Sequence, residues 1–156
     1  MPSEEEQSVR AVIERMIGDW DAAYTEGNAY GMVGHGVPEA TAVENNRRKW
    51  ASVMDWTEER TAHSTIRELC LGEGRATVVV ERHSQFCFRR PLPTYLPLGR
   101  AFLGFCARFV FTDREVSRST WVNTRVGWLG YDWQRLSYRC RVRMRTRLNN
   151  TIGQSE

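Results

Sequence analysis

At 156 residues, 41% hydrophobic and 26% charged, the chain has the size and composition of a single globular domain spanning 1–156, long enough to bury a core. Its acidic start, Met1–Gln7, is unlike a signal peptide, and no apolar run approaches the roughly 18 residues of a membrane span; the expectation is a cytoplasmic protein with no membrane contact. Cys70, Cys87, Cys106 and Cys140 stand far apart, without CxxC or Cys/His zinc spacing, so they read as buried, reduced thiols, and neither metal nor cofactor is expected.

The net charge of +3 is unevenly spread. Residues 1–74 hold 7 Lys/Arg against 14 Asp/Glu, and residues 75–156 hold 15 against 5. The acidic half reads as helix and the basic half as sheet, so each partly neutralises the other within the fold, which weakens a nucleic-acid reading.

The first predicted element is a helix from Glu4 to about Glu26. Val9, Val12, Ile13, Met16, Ile17, Trp20, Ala23 and Tyr24 recur at helical spacing as one apolar stripe. Ser3 followed by Glu6 is the capping-box pattern, the early glutamates suit the positive end of the helix dipole, and Gly27-Asn28 is a stop signal. Ala29–Ala42 is broken by Gly31, Gly34, Gly36 and Pro38 and reads as loop, with His35 solvated in it. A second helix is predicted over Glu44–Glu59, with Trp50, Val53, Met54 and Trp56 on its apolar side.

From His63 the period becomes two. Strands are predicted over His63–Leu71 and Arg75–Arg89, joined by Gly72-Glu73-Gly74. An irregular loop at Pro91, Pro93 and Pro97 follows, then a long, bent strand over Phe102–Asn123. A turn over Asn123–Gly127 leads into a last strand over Trp128–Arg145, and the tail from Asn149 is polar. Two helices and a four-stranded meander make an α+β pattern, in which the sheet buries one face by wrapping around the first helix.

Two segments carry a family resemblance. Val12–Asn28, a helix ending in a small-residue stop, resembles the first helix of the NTF2-like superfamily. Ser119-Thr-Trp-Val-Asn-Thr-Arg-Val-Gly-Trp128 is similar to the Asp-Thr-Trp-Val…Gly-Trp hairpin of its SnoaL-like branch. His63–Leu69 and Gly74–Val80 fall where that branch has its first long hairpin. The resemblance implies an NTF2-like cone, a curved antiparallel sheet wrapped around the long N-terminal helix, with a pocket inside and frequent homodimerisation through the sheet. Its members include isomerases, cyclases, dehydratases and non-catalytic binding or association domains, so fold alone does not choose a function. The chain departs from the isomerases twice. The interval that carries their catalytic carboxylate is here Ala29–Thr41, with only Glu39 acidic and in a loop. Their hydrogen-bonding tyrosine, seven residues before the glycine of the stop, is here Trp20.

Polar residues in apolar registers are the candidates for chemistry. In the last strand the even positions Leu136, Tyr138, Cys140, Val142 and Met144 alternate with arginines. Carried back without a bulge, the even face includes Trp128 and Asp132, and a carboxylate among aromatics there suits acid–base work. A bulge near Gly130 would instead turn Asp132 outward, or it could pair with an arginine. Glu81 and His83 share the outer face of the second strand, a solvent or dimer surface, and His63 reads as structural or exposed. Tyr24 ends the helical stripe near the mouth of the cone and could donate a hydrogen bond. The six arginines of Arg135–Arg147 form a positive stripe with only Tyr131 and Trp133 beside it for stacking, so it reads as a solvated or dimer face.

The expectation is a small-molecule-binding protein taking a small, largely apolar ligand, with Asp132 and Tyr24 as catalytic groups of a cyclase, isomerase or dehydratase. Trp20, Trp50, Phe86, Trp121, Trp128 and Tyr138 would line the pocket. The alternatives are a non-catalytic binding or association domain, and a binder of acidic partners or nucleic acid through the arginine stripe.

Overall fold

A computed structural model of the protein describes residues 1–32, 40–89 and 105–145. Its elements are α1 (Glu4–Glu26), α2 (Ala40–Trp56), β1 (Thr57–Gly72), β2 (Arg75–Phe88), β3 (Phe109–Thr124) and β4 (Gly127–Met144). The strands form one antiparallel sheet in the order β1-β2-β3-β4. His35, Glu39, Pro91, Pro93, Pro97, Arg147 and the tail from Asn149 lie outside the described residues. Among the described residues no helix is long and apolar enough to cross a membrane.

α1 has the ends its sequence predicts. Ser3 Oγ accepts from the Glu6 N–H at 3.1 Å, satisfying one of the helix's orphan donors. Gly27 closes the helix at φ +79°, a conformation that costs glycine least. A Cβ there would also come within 2.6 Å of Arg60 Nη2. Arg60 reaches in because it serves both helix C-termini, with Nε donating to the Tyr24 carbonyl at 3.0 Å and Nη1 to the Met54 carbonyl at 3.4 Å. The stripe of Val9, Ile13, Met16 and Ile17 buries against Leu69 of β1, Ala76, Val78 and Val80 of β2 and Trp121 of β3. A second apolar cluster of Ala23, Tyr24, Met32 and Met54, flanked by Trp20 and Trp50, sits under α2.

The boundary between α2 and β1 differs from expectation. α2 ends at Trp56 rather than about Glu59, and β1 starts at Thr57 rather than His63. The cause is non-local: β2 runs to Phe88 and offers Thr57 a partner, which extends β1 backwards. Glu59 takes up the irregularity with a left-handed φ of +52°, where the ladder slips between Glu58 and Thr61. β3 starts at Phe109, seven residues later than predicted.

The irregularities of the second hairpin lie in β4. Val116 pairs with Ser137 and Ser117 with Arg135, so Leu136 is extra; Thr120 pairs with Asp132 and Trp121 with Gly130, so Tyr131 is extra. Each bulge reverses which parity faces inward. Tyr138, Cys140, Val142 and Met144 therefore share the face of α1, Arg135 and Trp133 replace the even positions there, and Trp128 returns to it beyond the second bulge.

On the outer face Glu81 is only 3% exposed, because three side chains cover it. Arg114 Nε donates at 2.6 Å, His83 Nε2 lies 2.8 Å away, and Arg67 pairs with the other carboxylate oxygen. Hydrogen bonding from Arg114 holds the Glu81 carboxyl down at about 2, against an ordinary 4.5. A depressed carboxyl contributes stability that is complete above pH 4.5 and disappears as pH falls towards about 2. Urea unfolding across that window should show a shallower acid dependence for Glu81→Gln than for the natural protein. Equal slopes would mean the cluster adds nothing on folding. The thiols are more exposed than expected: Cys87 is buried and Cys106 half-buried, but Cys70 and Cys140 are exposed.

Candidate functional site

Strand register assembles a polar band across the concave face of the sheet. One row runs Ser64, Arg82, Glu115, Tyr138 through successive strands; the next runs Ala62, Ser84, Asp113, Cys140. Apolar surface flanks the band on both sides. Val78, Val80 and Trp121 lie towards the core; Phe86, Phe88 and Phe111 pack mutually on the other side, Phe86 stacking on Phe111 at 5.2 Å between centroids.

Arg82 anchors the band. Its Nε donates to Ser64 Oγ at 3.1 Å and lies 3.4 Å from Asp21 Oδ1; Ser64 Oγ in turn donates to Asp21 at 2.9 Å. The guanidinium lies 3.5 Å from the Trp20 ring centroid and 5.6 Å from that of Trp133, so two indoles bracket it. Burial lowers its pKa, opposed by the charge of Asp21.

Asp113 is the other distinctive group. Its Oδ1 is buried without a hydrogen-bond partner among the described residues. Burial, then the charge of Asp113, pushes the Tyr24 hydroxyl up to about 12. Burial and hydrogen bonding to Asp113 likewise raise Tyr138 and Cys140. The two tyrosines are therefore neutral donors at ordinary pH, set around a carboxylate with an unsatisfied acceptor.

The residues singled out from sequence separate into four places. Trp20, Tyr24 and Trp50 form one ring cluster: Trp20 stacks on Tyr24 at 6.0 Å, and Trp50 meets both edge-on. The Trp20 indole N–H already donates to the Met32 carbonyl at 3.1 Å. Phe86 and Tyr138 border the polar band on the concave face. Trp121 is 3% exposed inside the core, its Nε1 donating to Ser119 Oγ at 2.9 Å, and Trp128 packs against that core, so these two support the fold rather than a cleft. Asp132 is a correction. It is exposed, pairs with Thr120 on the outer face, and accepts from the adjacent Trp133 N–H at 2.8 Å. The bulge at Leu136 turns it away from the face of Tyr138, the bulge at Tyr131 from that of Trp128, and with them goes the reason to make it an acid–base group.

Asp113, Glu115 and Arg82 were missed, although the signal was present. Stepping back by two from Trp121 passes Ser119, Ser117, Glu115 and Asp113, and stepping on by two from Val78 passes Val80 to Arg82. These are charged residues in an inward register.

A groove of about 860 Å³ runs between α1 and the edge of β1, lined in part by Ile17, Gly18, Asp21, Ala62 and Ser64. Among the described residues its lining includes His63 but no Phe, Tyr or Trp, and its polar floor is already joined to Arg82, so the concave band is the better candidate. Among the described residues no group of three or more His, Cys, Asp or Glu could hold a metal ion.

No protein-family model matches the sequence, and no curated protein does. Solved structures do match in fold. A candidate scytalone dehydratase from Novosphingobium aromaticivorans is 14% identical with a TM-score of 0.58, over 96% of this chain and 99% of that one. An NTF2-like superfamily protein from Salmonella enterica serovar Typhimurium is 10% identical with a TM-score of 0.56, over 94% and 98%. A ketosteroid isomerase-like protein from Erwinia carotovora is 12% identical with a TM-score of 0.53, over 84% and 93%.

Proposed function

The chain has the α+β fold of the NTF2-like superfamily, and on that fold we propose that it binds a small, largely apolar molecule carrying a hydrogen-bond donor in its concave cleft, as an acid–base enzyme of the isomerase or dehydratase kind. The observation that carries this reading is the buried, unpartnered Oδ1 of Asp113. A buried acceptor without a donor costs about 1–3 kcal/mol, more when charged, and a ligand O–H or N–H placed there removes that cost. Asp113 then accepts the ligand's proton, while the neutral hydroxyl of Tyr24 donates to an oxygen that gains charge. Phe86, Phe111 and the rings of Trp20 and Trp50 supply apolar walls. At these identities the neighbours' activities do not carry across; the reading rests on the side chains.

Matched aromatic probes test it. 2-Naphthol should raise the unfolding temperature, and naphthalene, which has no donor, should do so much less. Asp113→Asn should weaken 2-naphthol binding roughly tenfold or more, the range of a hydrogen bond to a charged group. Equal response to the two probes, or an unchanged affinity in the variant, would remove Asp113 from the site.

A further inference from the structure

The free flank of β4 points to a second binding surface, which adjoins the proposed cleft at Tyr138. β4 pairs only with β3 and forms one edge of the sheet among the described residues. An unpaired edge is a template for another strand unless something guards it. Over Ser137–Met144 this edge has no bulge, and its two faces differ sharply. Tyr138, Val142 and Met144 on the concave face are 47%, 54% and 66% exposed. Arg139, Arg141 and Arg143 on the outer face are exposed as well.

Among the described residues no acid of the outer face pairs with these arginines. Arg139 sits opposite Arg114, and the row continues through His83 to His63, so basic side chains cross all four strands. Arg114 is already committed to Glu81, and among the described residues Arg143 reaches the amide oxygen of Gln85, at 3.4 Å, and no acid. Arg139 and Arg141 have no ion pair among the described residues. Like charges directly opposite one another destabilise a sheet, and a partner bringing carboxylates would relieve that.

We propose that Ser137–Met144 takes up an extended acidic segment of another protein as a fifth strand. Its main chain would hydrogen-bond the edge of β4. Acidic side chains at alternate positions would meet Arg139, Arg141 and Arg143, and the apolar ones between would cover Tyr138, Val142 and Met144. A second copy of this chain fits poorly. Antiparallel pairing of β4 with itself keeps outer residues opposite outer residues, which sets arginine against arginine. Nucleic acid fits less well too, because the register neighbours Val110, Thr112 and Arg114 offer no ring for a base to stack on.

The test uses a synthetic peptide alternating glutamate and valine, a peptide of the same composition with its glutamates grouped at one end, and the alternating peptide N-methylated on alternate amides. The alternating peptide should bind the full chain, more weakly as salt rises, and both controls should bind roughly tenfold less well or not at all. Arg139→Glu with Arg141→Glu and Arg143→Glu should weaken binding of the alternating peptide roughly tenfold or more, the sum expected of three exposed ion pairs. Should the triple variant fold poorly, Arg141→Gln takes its place with a smaller loss expected, and the N-methylated control needs no variant. Absence of binding, equal binding of the grouped peptide, tighter binding of oligothymidylate, or a stable homodimer built on this edge would each overturn the proposal.

Discussion

Asp21→Ala should lower the stability of the protein by about 3–5 kcal/mol, the cost of leaving a buried charge without its partner. The Arg82 and Asp21 side chains are only 12% and 10% exposed, and Ser64 completes a chain of short contacts between them. Removing the carboxylate leaves a guanidinium that burial already disfavours, facing Ser64 and two indole rings. The diagnostic measurement is urea unfolding of Asp21→Ala beside Asp21→Ala with Arg82→Met. The second variant should recover most of the loss, because a neutral side chain of similar length needs no counter-charge. A loss for Asp21→Ala below about 1 kcal/mol, the scale of a surface ion pair, would show that water reaches Arg82 freely. This outcome also bears on the cleft: a buried arginine stapled to α1 holds β2, and so the polar band, at a set distance from the Tyr24 hydroxyl.

Trp121→Ala should cost about 3–5 kcal/mol as well, by a different route: lost burial together with a cavity the surroundings cannot close. Trp121 shares one buried core cluster with Val9, Ile13 and Val78, and the loss of its indole would also leave Ser119 Oγ without its donor. Trp133→Ala is the matched control. That indole is 43% exposed and stacks on Arg82 at 5.6 Å, so its removal should cost less than about 1 kcal/mol. Denaturant midpoints for the two variants decide between a core role and a pocket-wall role for Trp121. A small effect at Trp121 with weakened binding of 2-naphthol would return it to the cleft.

Part of the cleft was legible along the chain. Trp20, Tyr24 and Trp50, expected to line a pocket, form one ring cluster, and Phe86 and Tyr138 lie on the concave face as their alternation implied. Of the two groups expected to react, Asp132 lies on the other face of the sheet. Asp132 stood out because it continued the alternation of β4, and the extra residue Leu136 breaks that alternation before reaching it. Asp113 and Glu115 were passed over although they share a parity with Trp121, since the eye rests on aromatics and aliphatics in a strand and treats charges as its outer face.

By itself the sequence determined the long capped helix ended by Gly27, the change to period two after the second helix and the tight turn over Asn123–Gly127. All of these depend on local dihedral preferences and on the spacing of apolar residues along one segment. Only the tertiary structure decided where α2 yields to β1, which way Asp132 points, and that Asp21, Ser64, Arg82, Asp113 and Tyr138 meet on one surface. Those outcomes depend on register between strands: β2 extends β1 by offering it partners, the two extra residues in β4 are counted only against β3, and a row across the sheet joins residues far apart in the chain.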